Sequence, residues 1–267
     1  MGRSSRSKTG FNSRRGAPTA PIATKKVAAR RRGRVEFEEE IVFPVEPQSR
    51  KTFSVKDVKR LTPLTDNQEK AFDFWDDEQN VVMDGFAGTG KSTLAMYFAL
   101  TTVLDPNTPQ KKIVIVRSTA QTRDIGFLKG TEEEKIAPFE APYRGICDDL
   151  FPWKNSYDNL KELGKIEFES TSLLRGITFS DSVIIVDEIQ SMTEHELETV
   201  ITRTGRNSRI IFCGDDCQND IGKDSGFSKI VPLLRRMQSI SFVDFELSDC
   251  VRSGFVREFL MAKYQYR

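Results

Sequence analysis

The hydrophobic positions of this 267-residue chain follow two different periods, and the two alternate along the sequence. Short, nearly continuous apolar runs read as buried strands: Asn80–Asp84, Lys112–Arg117, Ser182–Asp187, Ser208–Cys213 and Ile240–Leu247. Between them the spacing turns helical. Thr65-Asp66-Asn67-Gln68 opens a helix with Ala71, Phe72 and Trp75 on one face, and Thr93–Leu100 continues the pattern after a glycine-rich break. Further helices are predicted from Glu194 to about Thr204, from Gly226 to Met237 with Ile230, Leu233 and Leu234 inward, and from Gly254 to Tyr264. Pro232 marks a kink or a late start in the second of these. Ile166–Glu169 and Ile177–Phe179 are two candidate short strands. Strands alternating with helices predict an α/β fold, a mainly parallel sheet with helices on both faces.

The break after the first strand carries the most specific chemistry. Gly85-Phe86-Ala87-Gly88-Thr89-Gly90-Lys91-Ser92 matches G-x-x-x-x-G-K-S, the phosphate-binding P-loop, in the strand–loop–helix setting that motif requires. Its glycines let backbone N–H groups turn inward around phosphate oxygens, and the helix start adds partial positive charge behind them. Lys91 is placed to reach β- and γ-phosphates, and the Ser92 hydroxyl to hold Mg²⁺.

The strand Ser182–Asp187 ends in two acids, Asp187 and Glu188. Open α/β sheets bind ligands at the carboxyl ends of their strands. Asp187 is thus a candidate Mg²⁺ holder, and Glu188 a candidate base or orienting group for an attacking water. A solvated acidic turn is the plainer account, and it loses ground beside a P-loop.

The formal charge of +1 hides an asymmetry. Residues 1–34 hold eleven Lys or Arg and no acid, which leaves the remainder at −10. That segment is poor in apolar residues and is expected to be a basic disordered arm. It can contact nucleic-acid phosphates, act as a targeting sequence, or be a solvated tail. Residues 35–60, mixed acidic and apolar with Pro44 and Pro47, read as a linker or edge segment, and 61–267 as the P-loop domain. No stretch approaches a transmembrane helix in length, and Cys147, Cys213, Cys217 and Cys250 form neither a disulfide framework nor a paired zinc motif. A cytoplasmic protein with reduced thiols is expected. His195, the single histidine, sits in a capping box at a helix start and reads as a surface residue.

Two glutamines stand near the predicted site. Gln218, after the strand ending at Cys213, can sense a γ-phosphate or belong to a polar turn. Gln68 can read adenine with an amide that both donates and accepts, or complete a capping box with Thr65.

Taken in order, several segments resemble the PhoH-like proteins, a branch close to superfamily 1 helicases. They are Gly85–Ser92, Arg117 after a strand, Gly126-Phe127-Leu128-Lys129-Gly130, Glu133-Glu134-Lys135 before Pro138, and Arg175-Gly176. Asp187-Glu188-Ile189-Gln190, Thr202-Arg203, Gly214-Asp215-Asp216-Cys217-Gln218 and Asp249-Cys250-Val251-Arg252 complete the set. The resemblance runs from about Leu61 to Tyr264. Ser118 and Lys129 depart from the family's usual Pro, and Ile189 from its usual Ala.

The resemblance implies a RecA-like core that binds and hydrolyses ATP with Mg²⁺, together with a link to RNA and to phosphate starvation. The expected activity is that of a helicase-like ATPase on RNA or single-stranded nucleic acid, with Arg117, Ser118, Lys129 and the arm as its nucleic-acid surface. The alternative is a nucleotide-dependent switch or assembly ATPase without such a substrate. A small-molecule kinase fits less well, since the Asp-Glu pair favours hydrolysis. Because the chain ends at Arg267, a neighbouring subunit is expected to close the ATP site, as in a homo-oligomer such as a hexameric ring. Arg252 is the candidate finger across that interface, with Arg175 and Arg203 in reserve. Local capping or pairing is the alternative for Arg252.

Overall fold

The computed structural model describes residues 23–31, 34–42, 52–119, 132–174, 176–215, 218–219 and 221–265. Lys129 and Arg175, named above, lie outside the described residues. The chain divides into two units, Met1–Lys51 and Thr52–Arg267.

In the first unit, β1 (Ala23–Arg31) pairs antiparallel with β2 (Arg34–Val42). This differs from the reading of 1–34 as a disordered arm ending at a boundary, because the pairing crosses that boundary. The register offers a reason: Lys25 and Lys26 stand opposite Glu40 and Glu39, so a basic segment meets an acidic one.

The second unit is built on six parallel strands: β3 (Asn80–Gly85), β4 (Lys112–Arg117), β5 (Ile166–Ser170), β6 (Ser182–Asp187), β7 (Arg209–Gly214) and β8 (Ile240–Phe245). Their order across the sheet is β5-β4-β6-β7-β3-β8. Each central strand is buried on both faces, which explains the continuous apolar runs. Val81, Met83, Ile113, Ile115, Val183 and Ile185 pack with α1 (Asp66–Asp76), α2 (Lys91–Val103), α3 (Glu132–Leu150) and α4 (Ser156–Glu162). The alternate positions Val82, Val114, Val116, Ile184, Val186 and Phe212 pack with α5 (Glu194–Thr202) and α6 (Phe227–Leu234). A final helix, α7, spans Gly254–Gln265. This is the expected α/β architecture with a RecA-like P-loop core.

Three local expectations change, and one helix was not anticipated. The folded unit begins at Thr52 rather than near Leu61: Val58 is buried, and the Phe53 ring meets Phe151 and Trp153 edge-on at 5.2 and 5.7 Å. Residues 132–150 form a long helix despite Pro138 and Pro142 inside it. Ile177–Phe179 makes an isolated bridge from Phe179 to Thr204 rather than a strand. On α6 the buried set is Phe227, Ile230, Val231 and Leu234, while Leu233 points outward.

Candidate nucleotide site

The parallel register brings three strand ends to one edge. The P-loop leaves β3, Asp187-Glu188 leaves β6, and Gly214-Asp215 leaves β7, which lies between them. A cavity of about 540 Å³ opens there, walled by the P-loop, both acid-bearing ends, Arg252 and one face of α3.

The loop conformation depends on its glycines. Gly85, Gly88 and Gly90 all have positive φ, at 126°, 79° and 91°. A Cβ on Gly85 would fall 1.9 Å from the Phe245 carbonyl oxygen of β8, so no larger residue fits. Thr89 is fully buried and donates its hydroxyl to the Phe86 carbonyl at 2.9 Å. Lys91 Nζ folds back over the loop and donates to the carbonyls of Gly85 and Phe86, both at 2.7 Å. Burial lowers the Lys91 pKa, against the opposing pull of Asp215, Cys213, Asp187 and Asp84.

Ser92 and Asp187, 95 residues apart in sequence, meet at this edge: Ser92 Oγ donates to Asp187 Oδ1 at 3.3 Å. Asp187 Oδ1 also accepts from the Glu188 N–H at 3.0 Å, and Oδ2 accepts from Tyr143 Oη at 2.7 Å. Tyr143 comes from α3 and is fully buried; burial and then the Asp187 charge push its pKa well up, so the phenol stays a donor. The oxygens of Ser92 and Asp187 are the hard donors Mg²⁺ takes alongside phosphate oxygens. Among the described residues no group of three or more His, Cys, Asp or Glu could hold a metal without such help.

Glu188 adopts a left-handed backbone with φ 57°, uncommon outside glycine and concentrated at functional sites. Its pKa is raised by burial and by Asp187. Its Oε2 accepts from Gln190 Nε2 at 2.5 Å, while Gln190 Oε1 accepts from the Asp215 N–H at 3.1 Å. Gln218 Nε2 donates to Asp215 Oδ2 at 2.6 Å. A chain of hydrogen bonds thus runs from Glu188 through Gln190 and Asp215 to Gln218.

Gln68 is buried under the loop. Its Nε2 donates to the Thr89 carbonyl at 2.9 Å, and its Oε1 accepts from the Leu64 N–H at 2.8 Å. Its own N–H reaches Thr65 Oγ1 at 3.3 Å, so half of the expected capping box is present. The amide is thereby engaged with backbone rather than aimed at a base.

Three cations named in the sequence analysis have local surroundings in this structure. Arg117, assigned to a nucleic-acid surface, approaches Glu188 Oε1 at 3.8 Å. Ser118 beside it is buried and donates to Glu196 Oε1 at 3.4 Å. Arg252, assigned to a neighbour's site, lies against its own loop: a Cβ on Gly88 would meet Arg252 Cγ at 2.7 Å, and the Val251 N–H donates to the Gly88 carbonyl at 3.0 Å. Arg203 ends α5, where its carbonyl accepts from the Phe179 N–H at 2.8 Å. His195 is an exposed residue of α5, in the capping-box turn as read. No helix among the described residues is long and apolar enough to cross a membrane.

Tyr143, Gln190 and Asp215 are site residues with no individual role in the sequence reading. A glutamine two positions after the acidic pair was a signal for the second; none pointed to the first.

The family profile described as "PhoH-like protein" matches residues 60–264. A PhoH-like protein of Mycobacterium leprae is 32% identical over 212 residues, covering 78% of this chain and 60% of that protein. Protein PhoH2 of Bacillus subtilis is 37% identical over 144 residues, covering 52% of this chain and 32% of that protein. The chain therefore spans about 60% of the length of the Mycobacterium leprae relative. Among solved structures, the large terminase of a thermophilic bacteriophage in complex with ADP aligns with a TM-score of 0.47 at 14% identity, covering 74% of this chain and 49% of that one.

Proposed function

This chain belongs to the PhoH-like family, and from that premise we propose that it is a Mg²⁺-dependent ATPase acting on RNA or single-stranded nucleic acid. The observation that carries the reading is the meeting of Ser92 with Asp187 at 3.3 Å, on the rim of a cavity that also holds Lys91 and Glu188. A loop amide cage, a lysine and a hydroxyl–carboxylate pair are what a triphosphate with its metal requires.

In this reading the P-loop N–H groups and Lys91 bind the phosphates, with Lys91 moving from the Gly85 and Phe86 carbonyls to phosphate oxygens. Ser92 and Asp187 hold Mg²⁺, which supplies neutralising charge on the β- and γ-phosphates. Tyr143 fixes the face Asp187 presents. Glu188 accepts a proton from, or orients, the attacking water; its raised pKa brings it closer to that task. Gln218, joined to Glu188 through Asp215 and Gln190, links the γ-phosphate end to the base. Arg252 adds positive charge at the cavity mouth.

An ATPase assay with Mg²⁺, run with and without single-stranded RNA and DNA, tests this directly. Turnover that needs Mg²⁺ and rises with nucleic acid supports the reading. Turnover indifferent to both nucleic acids favours a switch or assembly ATPase, and no turnover in any condition overturns both.

A further inference from the structure

The cavity at the strand ends extends beyond the groups that a triphosphate and its metal employ. Its volume of about 540 Å³ falls within the range of roughly 300–1,000 Å³ that encloses a drug-sized ligand. Besides the P-loop and the acids, it is lined by Pro142, Gly145, Ile146 and Asp149 of α3. These stand at i, i+3, i+4 and i+7, a single face of that helix. The adjoining residues Tyr143, Cys147 and Leu150 are buried in the core, and the Tyr143 bond to Asp187 holds α3 against the end of β6.

Two features of this face serve nothing within the protein. Gly145 lies inside α3 and is not among the glycines with positive φ. A glycine inside a helix weakens it relative to alanine, and its uses are a turn, a cap or the close approach of backbone to another group. No protein group makes that approach, because a Cβ on Gly145 would meet nothing within 4 Å. The missing side chain leaves an open notch in the cavity wall. The second feature is Asp149. Asp148 beside it accepts from the Asn155 N–H at 3.0 Å and pairs with Lys154 at 3.6 Å. Asp149 is exposed and has no hydrogen-bond or ion-pair partner among the described residues.

We propose that this face of α3 is the nucleoside subsite of the cavity. The base lies over the Gly145 notch against Ile146, and Asp149 accepts hydrogen bonds from the ribose hydroxyls. This rests on the reading of the P-loop as a phosphate site. Lys91, Ser92 and Thr93, the first turn of α2, line the same space, so a nucleotide with its phosphates on the loop continues into it. Asp149 stands two turns beyond Tyr143, roughly 9 Å along the helix axis from the metal end. That spacing keeps its charge clear of the β- and γ-phosphates while leaving it within reach of a sugar. A carboxylate that accepts from ribose hydroxyls is a contact other nucleotide folds use. The Gln68 amide is taken up by the Thr89 carbonyl and the Leu64 N–H, which leaves the α3 face to meet the nucleoside.

The test is calorimetric titration of the full chain with Mg-ATP, Mg-2′,3′-dideoxy-ATP and Mg-tripolyphosphate, alongside melting without nucleotide. Gly145→Leu fills the notch. Leucine is a better helix former than glycine and meets no neighbour there, so the melting temperature should hold or rise. Its ATP affinity should nevertheless fall by about ten-fold or more, because the base loses its space. Its tripolyphosphate affinity should stay as it was. The unmodified chain should prefer ATP to the dideoxy analogue by about ten-fold, the worth of hydrogen bonds to a charged group. Asp149→Ala should abolish most of that preference by weakening ATP alone. Should the leucine variant fail to fold, Asp149→Ala, at an exposed position, carries the test by itself. The proposal is overturned if folded Gly145→Leu binds ATP as the unmodified chain does, or loses tripolyphosphate equally. It is overturned too if Asp149→Ala discriminates the two nucleotides as before, or if the unmodified chain does not discriminate them. An unmodified chain that binds neither ATP nor tripolyphosphate overturns the phosphate reading, and the subsite with it.

Discussion

Tyr143 Oη donates to Asp187 Oδ2 at 2.7 Å, joining α3 to the acid at the end of β6. The other carboxylate oxygen takes the Ser92 hydroxyl and the Glu188 N–H. Tyr143 therefore fixes which oxygen Asp187 turns toward the P-loop. Tyr143→Phe keeps the buried ring and removes only the donor. A hydrogen bond to a charged group contributes about 1.5–3 kcal/mol, so a measurable fall in melting temperature is expected. Turnover should need several-fold more Mg²⁺ for half-saturation. A Mg²⁺ titration that superimposes on the unmodified protein would remove Tyr143 from the site.

In the proposed reading the neighbours Asp187 and Glu188 have separate tasks, and substitution should separate them. Glu188→Gln is expected to retain Mg-ATP while turning over at a small fraction of the normal rate, because an amide cannot take the water's proton. Asp187→Asn should instead weaken Mg²⁺ binding. Lys91→Ala should abolish turnover, since one preorganised charge at a developing phosphoryl charge is worth on the order of 3 kcal/mol or more. Nucleotide binding by fluorescence, compared with steady-state rates, reads all three. Equal and mild losses at Asp187 and Glu188 would return them to an acidic surface turn.

The engaged amide of Gln68 makes a prediction about the nucleotide base. It holds the Thr89 carbonyl and the Leu64 N–H. Gln68→Ala releases the P-loop from below, at a cost of about 1 kcal/mol, or roughly five-fold in rate. The loss should be the same for ATP, GTP and CTP. If kcat/KM falls for ATP alone, Gln68 reads adenine after all.

Acid should loosen the α3–α4 corner. Burial pushes Glu140 upward, but hydrogen bonds from Lys161 and Tyr157 and the charges of Lys161 and Arg144 outweigh it and hold the carboxyl below its usual 4.5. A carboxyl depressed in the folded state stabilises the fold above its unfolded pKa and ceases to do so as pH falls through the folded value. Melting temperature should therefore drop as pH falls below about 4.5. Glu140→Gln should be less stable at neutral pH and flatter across that range. An unchanged slope in this variant assigns the acid sensitivity to other groups.

The P-loop and the acidic strand end were legible because each is local. Gly85–Ser92 encodes its own backbone path and Asp187-Glu188 ends its own strand, so a few residues suffice. Tyr143 depends on a helix crossing the sheet edge, and Pro138 and Pro142 obscure that helix in the sequence. Leu233 shows a subtler gap. The helical period holds, but the buried arc runs through Phe227, Ile230, Val231 and Leu234, one step around from the expected one. Arg117 and Ser118, expected on a nucleic-acid surface, stand at the end of β4 beside Glu188 and Glu196. Side-chain direction after a strand is set by neighbours that no single-sequence pattern names.

Arg252 carries the last prediction. Its stem lies over Gly88 of its own chain, where the absent Cβ makes room, and it lines the nucleotide cavity. That position favours action on the nucleotide bound by the same subunit. Arg252→Ala should slow turnover by about 10³-fold or more, as an arginine at the transferring phosphate provides in other NTPases. The decisive experiment mixes Lys91→Ala subunits with Arg252→Ala subunits under conditions where mixed assembly is demonstrated. A finger reaching across an interface would place an intact P-loop beside an intact arginine and recover activity. An arginine acting within its own subunit recovers nothing, because every P-loop with its lysine lacks its arginine. No recovery is the expected result; substantial recovery would restore Arg252 to the interface.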